Sequence, residues 1–237
     1  MEKDNLNIYG AGEILKGITY PGRGIILGTT PDGLKYAAAY FITGRSENSR
    51  NRIFERTDDG IRTRAFDENK CTDPSLIIYS PVRRLGGAVI VTNGDQTDTV
   101  YDELAAGGSF ESALRKREFE PDSPNFTPRI SGIIDENGYK LSILKSEDGS
   151  GSRCMRAFYE YAFERNTAHL IHTYEHNGNP IPSFRGEPRR FELPDTDIDA
   201  FSEKLFASLN VDNRVSLYVS YIFDNGAEET RIINRQG

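Results

Sequence analysis

What this 237-residue chain lacks narrows its class before any motif is read. No apolar run approaches the roughly 18–20 residues that a membrane-spanning helix needs. The opening stretch "MEKDNLNIYGAGEILKG" has neither the basic start nor the apolar core of a signal peptide, so a cytoplasmic protein with no membrane partner is expected. Cysteine is scarce: Cys71 and Cys154 stand in no metal-type spacing and read as reduced thiols. There are no internal repeats and no low-complexity tracts. Gly-x-Ser-x-Gly, P-loop and Rossmann glycine signatures are missing. The formal net charge of −7 argues against broad nucleic-acid binding, which calls for a basic face. Lysine, the usual solubilising cation, is also short, with 8 residues against 21 arginines.

The arginine excess is what turns attention to a site. Its planar fork suits phosphate and carboxylate better than an ammonium does. Codon bias and surface ion pairs would produce the same skew, so placement has to decide. The segment "ITGRSENSRNR" (42–52) gathers Arg45, Arg50 and Arg52 among small hydrogen-bonding residues. Composition is otherwise that of a soluble globular protein, long enough to bury a large core in one domain.

Along the chain, residues 1–19 read as a polar, loosely held lead-in. "GRGIILGTT" and "LKYAAAYFI" flank the turn "PDG" and make a hairpin. Strands are expected at "SLIIYS" (75–80) and "GGAVIVTNG" (86–94). "DQTDTVYDELAAGG" reads as a helix of roughly ten residues, capped by Asp95 or Thr97 and ended by Gly107. "SFESALRKRE" is a second short helix with Ser109 at its N-cap. "RISGIID" and "YKLSILKS" flank "ENG" as another hairpin, and "AHLIHTYEH" is a strand candidate. "RCMRAFYEYAFER" fits helical spacing, yet its aromatics and its place between strands lean the reading to strand. "TDIDAFSEKLFASLN" is a helix capped by Thr196 or Asp197, and "RVSLYVSYIF" with "AEETRIINR" closes the chain as a hairpin. The order predicts antiparallel sheets covered by helices, an α+β layered domain.

Several segments bear chemistry. His169, His172 and His176 fall in one stretch; on a strand His169 and His172 point apart, which argues against a metal site. In "VTNGDQTD" (91–98) a strand ends, Asn93 and Gly94 turn, and a helix begins. Its backbone N–H groups would suit an anion, but Asp95 and Asp98 oppose a phosphate there and instead suit proton handling or orientation. "TPRI" (127–130) puts Arg129 at a strand start, and "TYE" (173–175) ends a strand with a hydroxyl and a carboxylate.

Taken in order, "YPGRGIILGTTPDGLKYAAAYFITGRSENSRNR", "AVIVTNGDQTD", "TPRISGII" and "HTYEH" resemble the archaeal-type inosine monophosphate (IMP) cyclohydrolase family. The likeness runs from about Tyr20 to about Glu175. The resemblance implies a four-layer αββα sandwich of the N-terminal-nucleophile hydrolase type, used without autoproteolysis. It also implies closure of a formamidoimidazole carboxamide ribonucleotide to IMP with loss of water, without folate, cofactor or metal. The partner so implied is a small purine nucleotide. Family members tend to assemble, so a homo-oligomer is part of the expectation.

Carried over residue by residue, the resemblance assigns substrate binding to Arg23, Tyr40, Arg45 and Arg129, with one of Arg50 and Arg52 standing for a second loop arginine. Asn93, Asp98, Tyr174 and Glu175 become the catalytic candidates. Departures are visible. The loop "TGRSENSRNR" lacks a Phe-Pro of the family pattern and is longer, Asp95 replaces a serine, and Gln96 replaces a histidine. The lead-in and residues 180–237 lie outside the clear match. Two other readings stay open: an amide hydrolase on the same scaffold, or a non-catalytic purine-nucleotide-binding protein.

Overall fold

Alternating apolar residues and turn-forming segments give this chain more strand than helix, all of it paired antiparallel. The computed structural model describes residues 10–71 and 78–236. In chain order its first half runs α1 (Gly10–Leu15), β1 (Arg23–Thr29), β2 (Lys35–Thr43), α2 (Glu47–Arg50), β3 (Arg52–Thr57), β4 (Gly60–Ala65), β5 (Val82–Leu85), β6 (Ala88–Thr92), α3 (Gln96–Ala105) and α4 (Phe110–Arg115). The second half runs β7 (Arg129–Asp135), β8 (Gly138–Ser146), β9 (Cys154–Tyr161), β10 (Thr167–His172), β11 (Arg189–Phe191), α5 (Ile198–Ser208), β12 (Arg214–Phe223) and β13 (Glu228–Asn234).

Two antiparallel sheets result. One has the order β11-β10-β1-β2-β12-β13; the other is a meander, β3-β4-β5-β6-β7-β8-β9. Side chains alternate across each strand, so β1 sends Ile25 and Leu27 one way and Ile26 the other. Ile25, Leu27, Tyr40 and Ile42 pack against Val89, Val91, Ile130 and Leu141 of the facing sheet. Ile26, Ala39 and Phe41 pack on the other side under Leu15, Phe201 and Leu205, which belong to α1 and α5. On the far sheet, Ile90, Ile133 and Leu144 pack under Val100, Phe110 and Leu114 of α3 and α4. The layers therefore run helices, sheet, sheet, helices. β1 is buried along its whole length because both its faces are covered, which is why it reads as a nearly unbroken apolar run.

The turn chemistry accounts for the hairpins. Asp32 accepts from Thr30 Oγ1 at 2.6 Å and from Leu34 N at 3.0 Å, and Gly33 takes φ of +73°. A capping box at Ser109 starts α4, and Asp197 caps α5 by accepting from Ala200 N at 2.8 Å. α3 starts at Asp95 without a side-chain cap.

One ambiguous segment resolves as the sequence leaned, and three others differ from the expectation or add to it. The ambiguous "RCMRAFYEYAFER" holds a strand, β9, paired with β8 along its length. The strand expected at 75–80 falls partly on residues outside those described; Ile78–Ser80 is not in a strand, although Thr63 N donates to Tyr79 O at 2.8 Å. The loop after β2 contains one helical turn, α2, closed by a Ser46–Ser49 capping box, and it leads into the β3–β4 hairpin. Finally, the lead-in is not loose throughout. Ala11 and Leu15 are buried, and α1 packs on α5. Burying Leu15 in that contact should make it indispensable to stability. Leu15→Ala is expected to cost about 2–5 kcal/mol, read as a lower urea midpoint with an unchanged slope.

Candidate active site

The site forms where the N-terminal end of β1 meets the ends of β2 and β10. Gly22 sits just before β1 with φ of +75°, and a Cβ there would lie 2.1 Å from Thr173 Oγ1 and 2.6 Å from the Tyr174 ring. Only glycine permits this approach. Around it the three strand ends are tied together. Thr43 N donates to Gly22 O at 2.7 Å, Arg23 N donates to Thr173 Oγ1 at 3.1 Å, and Thr173 Oγ1 donates to Pro21 O at 3.1 Å. The Arg23 side chain is thereby fixed and buried.

Its guanidinium finds one strong partner. Arg23 Nη2 donates to Glu120 Oε1 at 2.7 Å, and both side chains are nearly solvent-free. Glu120 comes from the loop between α4 and β7, which folds back on itself as Glu120 N donates to Thr127 O at 2.9 Å. Arg23 Nε is buried and has no partner among the described residues. Burial works against the Arg23 charge, but Glu120 and the surrounding Tyr79, Tyr174 and Tyr40 more than offset it, so the guanidinium stays charged. Burial pushes the Glu120 carboxyl above the ordinary range, while Arg23 and Arg129 pull it back.

The tyrosines complete the ring. The Tyr40 and Tyr79 hydroxyls share a hydrogen bond of 2.7 Å, and Tyr40 is fully buried. Burial drives the Tyr40 hydroxyl well up; that of Tyr174 rises to about 12, with Arg23 opposing. Both are neutral phenols at ordinary pH. The Tyr174 hydroxyl lies 2.6 Å from Thr127 Oγ1, and its ring stacks on Tyr20 at 5.6 Å. Buried His172 ties the same segment down through Nδ1 and the Tyr174 carbonyl, 2.8 Å apart. A carbonyl only accepts, so Nδ1 carries the proton. Burial lowers this imidazole to about 4, so the ring is neutral.

The other expected arginines divide by role. Arg45 lies on the rim, over the Tyr20 ring at 5.5 Å, where Nη1 donates to Asn177 Oδ1 and Gly178 O, each at 2.8 Å. Arg50 braces its loop, with Nε to Gly44 O at 2.9 Å and Nη2 to Asn213 Oδ1 at 3.1 Å. Arg52 is buried, donates from Nε to Ser49 O at 2.9 Å, and, after Arg23, its charge also reaches Tyr40. Arg129 is buried beside Glu120, with Nη1 donating to Asp95 Oδ1 and Gln96 Oε1, each at 2.7 Å. The two departures in "TNGDQTD" thus act together as the seat of Arg129. Partial burial works against the Asp95 charge, but Arg117 and Arg129 outweigh it and hold its carboxyl low. Asp95 is consequently a counter-charge to Arg117 and Arg129 here.

Two candidate carboxylates stand elsewhere. Asp98 is half-exposed and pairs with Arg83 at 2.9 Å, on the β5 side of α3. Glu175 accepts from Arg185 N at 3.0 Å and lies 3.8 Å from Arg189, outside the ring around Arg23. Motif position brings both forward, and each is near a site residue in sequence but points to a different neighbour. Asn93 is fully buried, but its amide is spent on structure. Its Oδ1 accepts from Ile130 N and Gln96 Nε2, each at 2.9 Å, and its Nδ2 donates to Pro128 O at 2.8 Å. Glu120, Tyr79, Thr127 and Asp122 were not anticipated. Glu120 sits in "EFEPDSPNF", which reads as a charged surface loop, and only the approach of Arg23 from 97 positions away reveals it.

The arrangement is that of a two-sheet layered protein with a buried Arg–Glu pair and phenols at one end of the sandwich, groups whose chemistry suits a polar ligand and proton movement. The sequence profile of the family described as IMP cyclohydrolase-like protein matches residues 20–226. The chain belongs to that family. It is 29% identical to the IMP cyclohydrolase of Methanococcus aeolicus over 133 residues, covering 54% of this chain and 64% of the relative. The corresponding protein of Methanocaldococcus jannaschii is 29% identical over 132 residues, covering 54% and 63%. Both alignments span less than two thirds of the relative. With the IMP cyclohydrolase of Methanococcus maripaludis the match is 27% over 195 residues, covering 75% of this chain and 92% of the relative. Among the described residues, no helix is long and apolar enough to cross a membrane.

Since Asn93 joins the end of β6 to the start of β7, Asn93→Asp should act on the fold before it acts on turnover. It turns the donor to Pro128 O into a second acceptor and leaves two buried oxygens facing each other. A loss of about 1–3 kcal/mol is expected, visible by denaturation of the free protein without substrate.

Proposed function

We propose that this protein is an IMP cyclohydrolase, closing a formamidoimidazole carboxamide ribonucleotide to IMP with loss of water. The observation that carries the reading is the buried Arg23 guanidinium, paired at Nη2 with Glu120 and unpartnered at Nε among the described residues, inside a ring of phenols. Family membership supplies the substrate class.

The chemistry asks little more. The attacking carboxamide nitrogen and the formyl carbon are already in one molecule, so holding them in an attack geometry supplies much of the rate. As the N–C bond forms, negative charge grows on the formyl oxygen. The free N–H of Arg23 and the spare proton of the Tyr40–Tyr79 pair are donors held for that charge in a dry setting. Two protons must then travel: one from the carboxamide nitrogen to the formyl oxygen, and one from the formamido nitrogen to the departing hydroxyl, which leaves as water. Glu120, its affinity for protons raised by burial, can take and return each in turn and ends unchanged. Arg129 and rim Arg45 are the cations on hand for the ribonucleotide phosphate. The αββα layering of N-terminal-nucleophile hydrolases is the fold kinship that goes with this proposal.

Incubating the purified protein with the formamido ribonucleotide and following absorbance should show IMP formation. Arg23→Lys and Glu120→Gln should each lower kcat by about 10²–10⁴. In the native enzyme, kcat/KM should fall as pH drops through the Glu120 pKa, at a pH above the usual carboxylate range, because the base must be ionised. No turnover together with tight binding of IMP would refute the enzyme reading.

A further inference from the structure

Tyr174, Thr127 and Asp122 form a chain whose direction is fixed by valence. Asp122 takes two donors from one residue: Thr127 N donates to its Oδ1 at 2.6 Å, and the Thr127 hydroxyl donates to its Oδ2. An ionised carboxylate can only accept. A threonine hydroxyl has one proton, and here it is committed to Asp122. Towards Tyr174, 2.6 Å away, Thr127 Oγ1 can therefore only accept. The single hydroxyl proton of Tyr174 must point at Thr127. Burial keeps that phenol neutral, so the proton is present to be placed. Asp122 is half-buried at the outer end of the chain, whereas Thr127 and Tyr174 are buried.

The contrast with the other phenols gives the chain its meaning. Tyr40 and Tyr79 own two protons and use one between them, which leaves one for a ligand. Tyr174 has none to give. Its oxygen offers lone pairs only. We propose that Thr127 and Asp122 are positioning residues that make Tyr174 an obligate acceptor, so that the Tyr174 side of the site selects an N–H donor, the substrate carboxamide, over a carboxylate. This rests on the cyclohydrolase reading for the identity of the ligand. Presenting an acceptor to the carboxamide would hold its nitrogen in one orientation. A carboxylate oxygen in the same place would face the phenol oxygen lone pair to lone pair, a mismatch that buried sites reject strongly.

The test is a ratio of affinities. Binding of aminoimidazole carboxamide ribonucleotide and of aminoimidazole carboxylate ribonucleotide is measured by calorimetry for the native protein and three variants. Thr127→Val frees the Tyr174 proton while leaving the Asp122 charge in place. It is expected to shift the amide-to-carboxylate ratio about tenfold or more towards the carboxylate. Asp122→Asn should shift it the same way, because an amide donor at 122 reverses the chain. Thr127→Ser keeps the hydroxyl and should keep the native ratio. A ratio in Thr127→Val equal to the native one, in a variant with a native melting transition, overturns the inference. So does a shift confined to Asp122→Asn, which would be the effect of removing a negative charge. If Thr127→Val does not fold, a native ratio in Asp122→Asn overturns it equally, and a ratio in Thr127→Ser displaced towards the carboxylate does the same. Failure of the native protein to bind the carboxamide ribonucleotide at all would instead count against the cyclohydrolase reading.

Discussion

A guanidinium that cannot reach water sets the terms for everything around it. Arg23 is held by the first residue pair of β1, with its charge inside the sandwich. Removing one member of such a pair leaves an uncompensated buried charge and typically costs about 3–5 kcal/mol, whereas the intact pair is near neutral for stability. Glu120 is therefore needed before any chemistry is considered. Its loop has to fold inwards, which the Glu120–Thr127 backbone bond and the Asp122 contacts bring about. The phenols answer the same demand, since Tyr79, Tyr174 and Tyr40 lie near enough to favour the Arg23 charge. What remains is an enclosed charged pair with one donor, Arg23 Nε, left over among the described residues.

The layers explain why the site sits at an end and not in the middle. Between the sheets the core is apolar, and it is the strand ends that come together from both. β1 and β10 contribute from one sheet; the turn after β6 and the first residue of β7 contribute from the other. Arg129 opens β7, and its seat is built by Asp95 and Gln96 at the start of α3. Helix, sheet and loop are joined there largely through side chains, alongside the Asn93 N to Ile130 O backbone bond, so the precision of the site depends on buried hydrogen bonds such as those of Asn93.

Much of this architecture was legible beforehand because it is local. Turn residues such as Asp32 and Gly33 announce their hairpins, and Ser109 and Asp197 announce their helices. What stayed hidden depends on distant contacts. α1 offers only two buried side chains, too few for a stripe, and becomes a helix against α5. The β3–β4 hairpin did carry a signal, with Ile61, Thr63 and Ala65 buried alternately after a "DDG" turn, but its many charges masked it. The site divides the same way. Arg23, Arg129 and Tyr174 stand at strand ends that motif order picks out. Glu120, Thr127 and Asp122 lie in or beside a proline-rich loop that has no periodicity to read. Asp98 and Glu175 have the right chemistry in the right segments, and only the direction of the side chain rules them out of the ring.

Gly22 bears on how such a chain can drift. Its missing side chain is the space into which Thr173 and the ring of Tyr174 fit, so the two positions, 152 residues apart along the chain, are one steric unit. A substitution at 22 displaces the tyrosine, and a smaller residue at 174 leaves a hole beside a backbone that still has to turn with positive φ. Change at either position has to wait for change at the other. Exposed positions of the loop after β2, such as Glu47, can vary at little cost, while this corner is locked, and variation in the family should be expected to reach Gly22 and Tyr174 last.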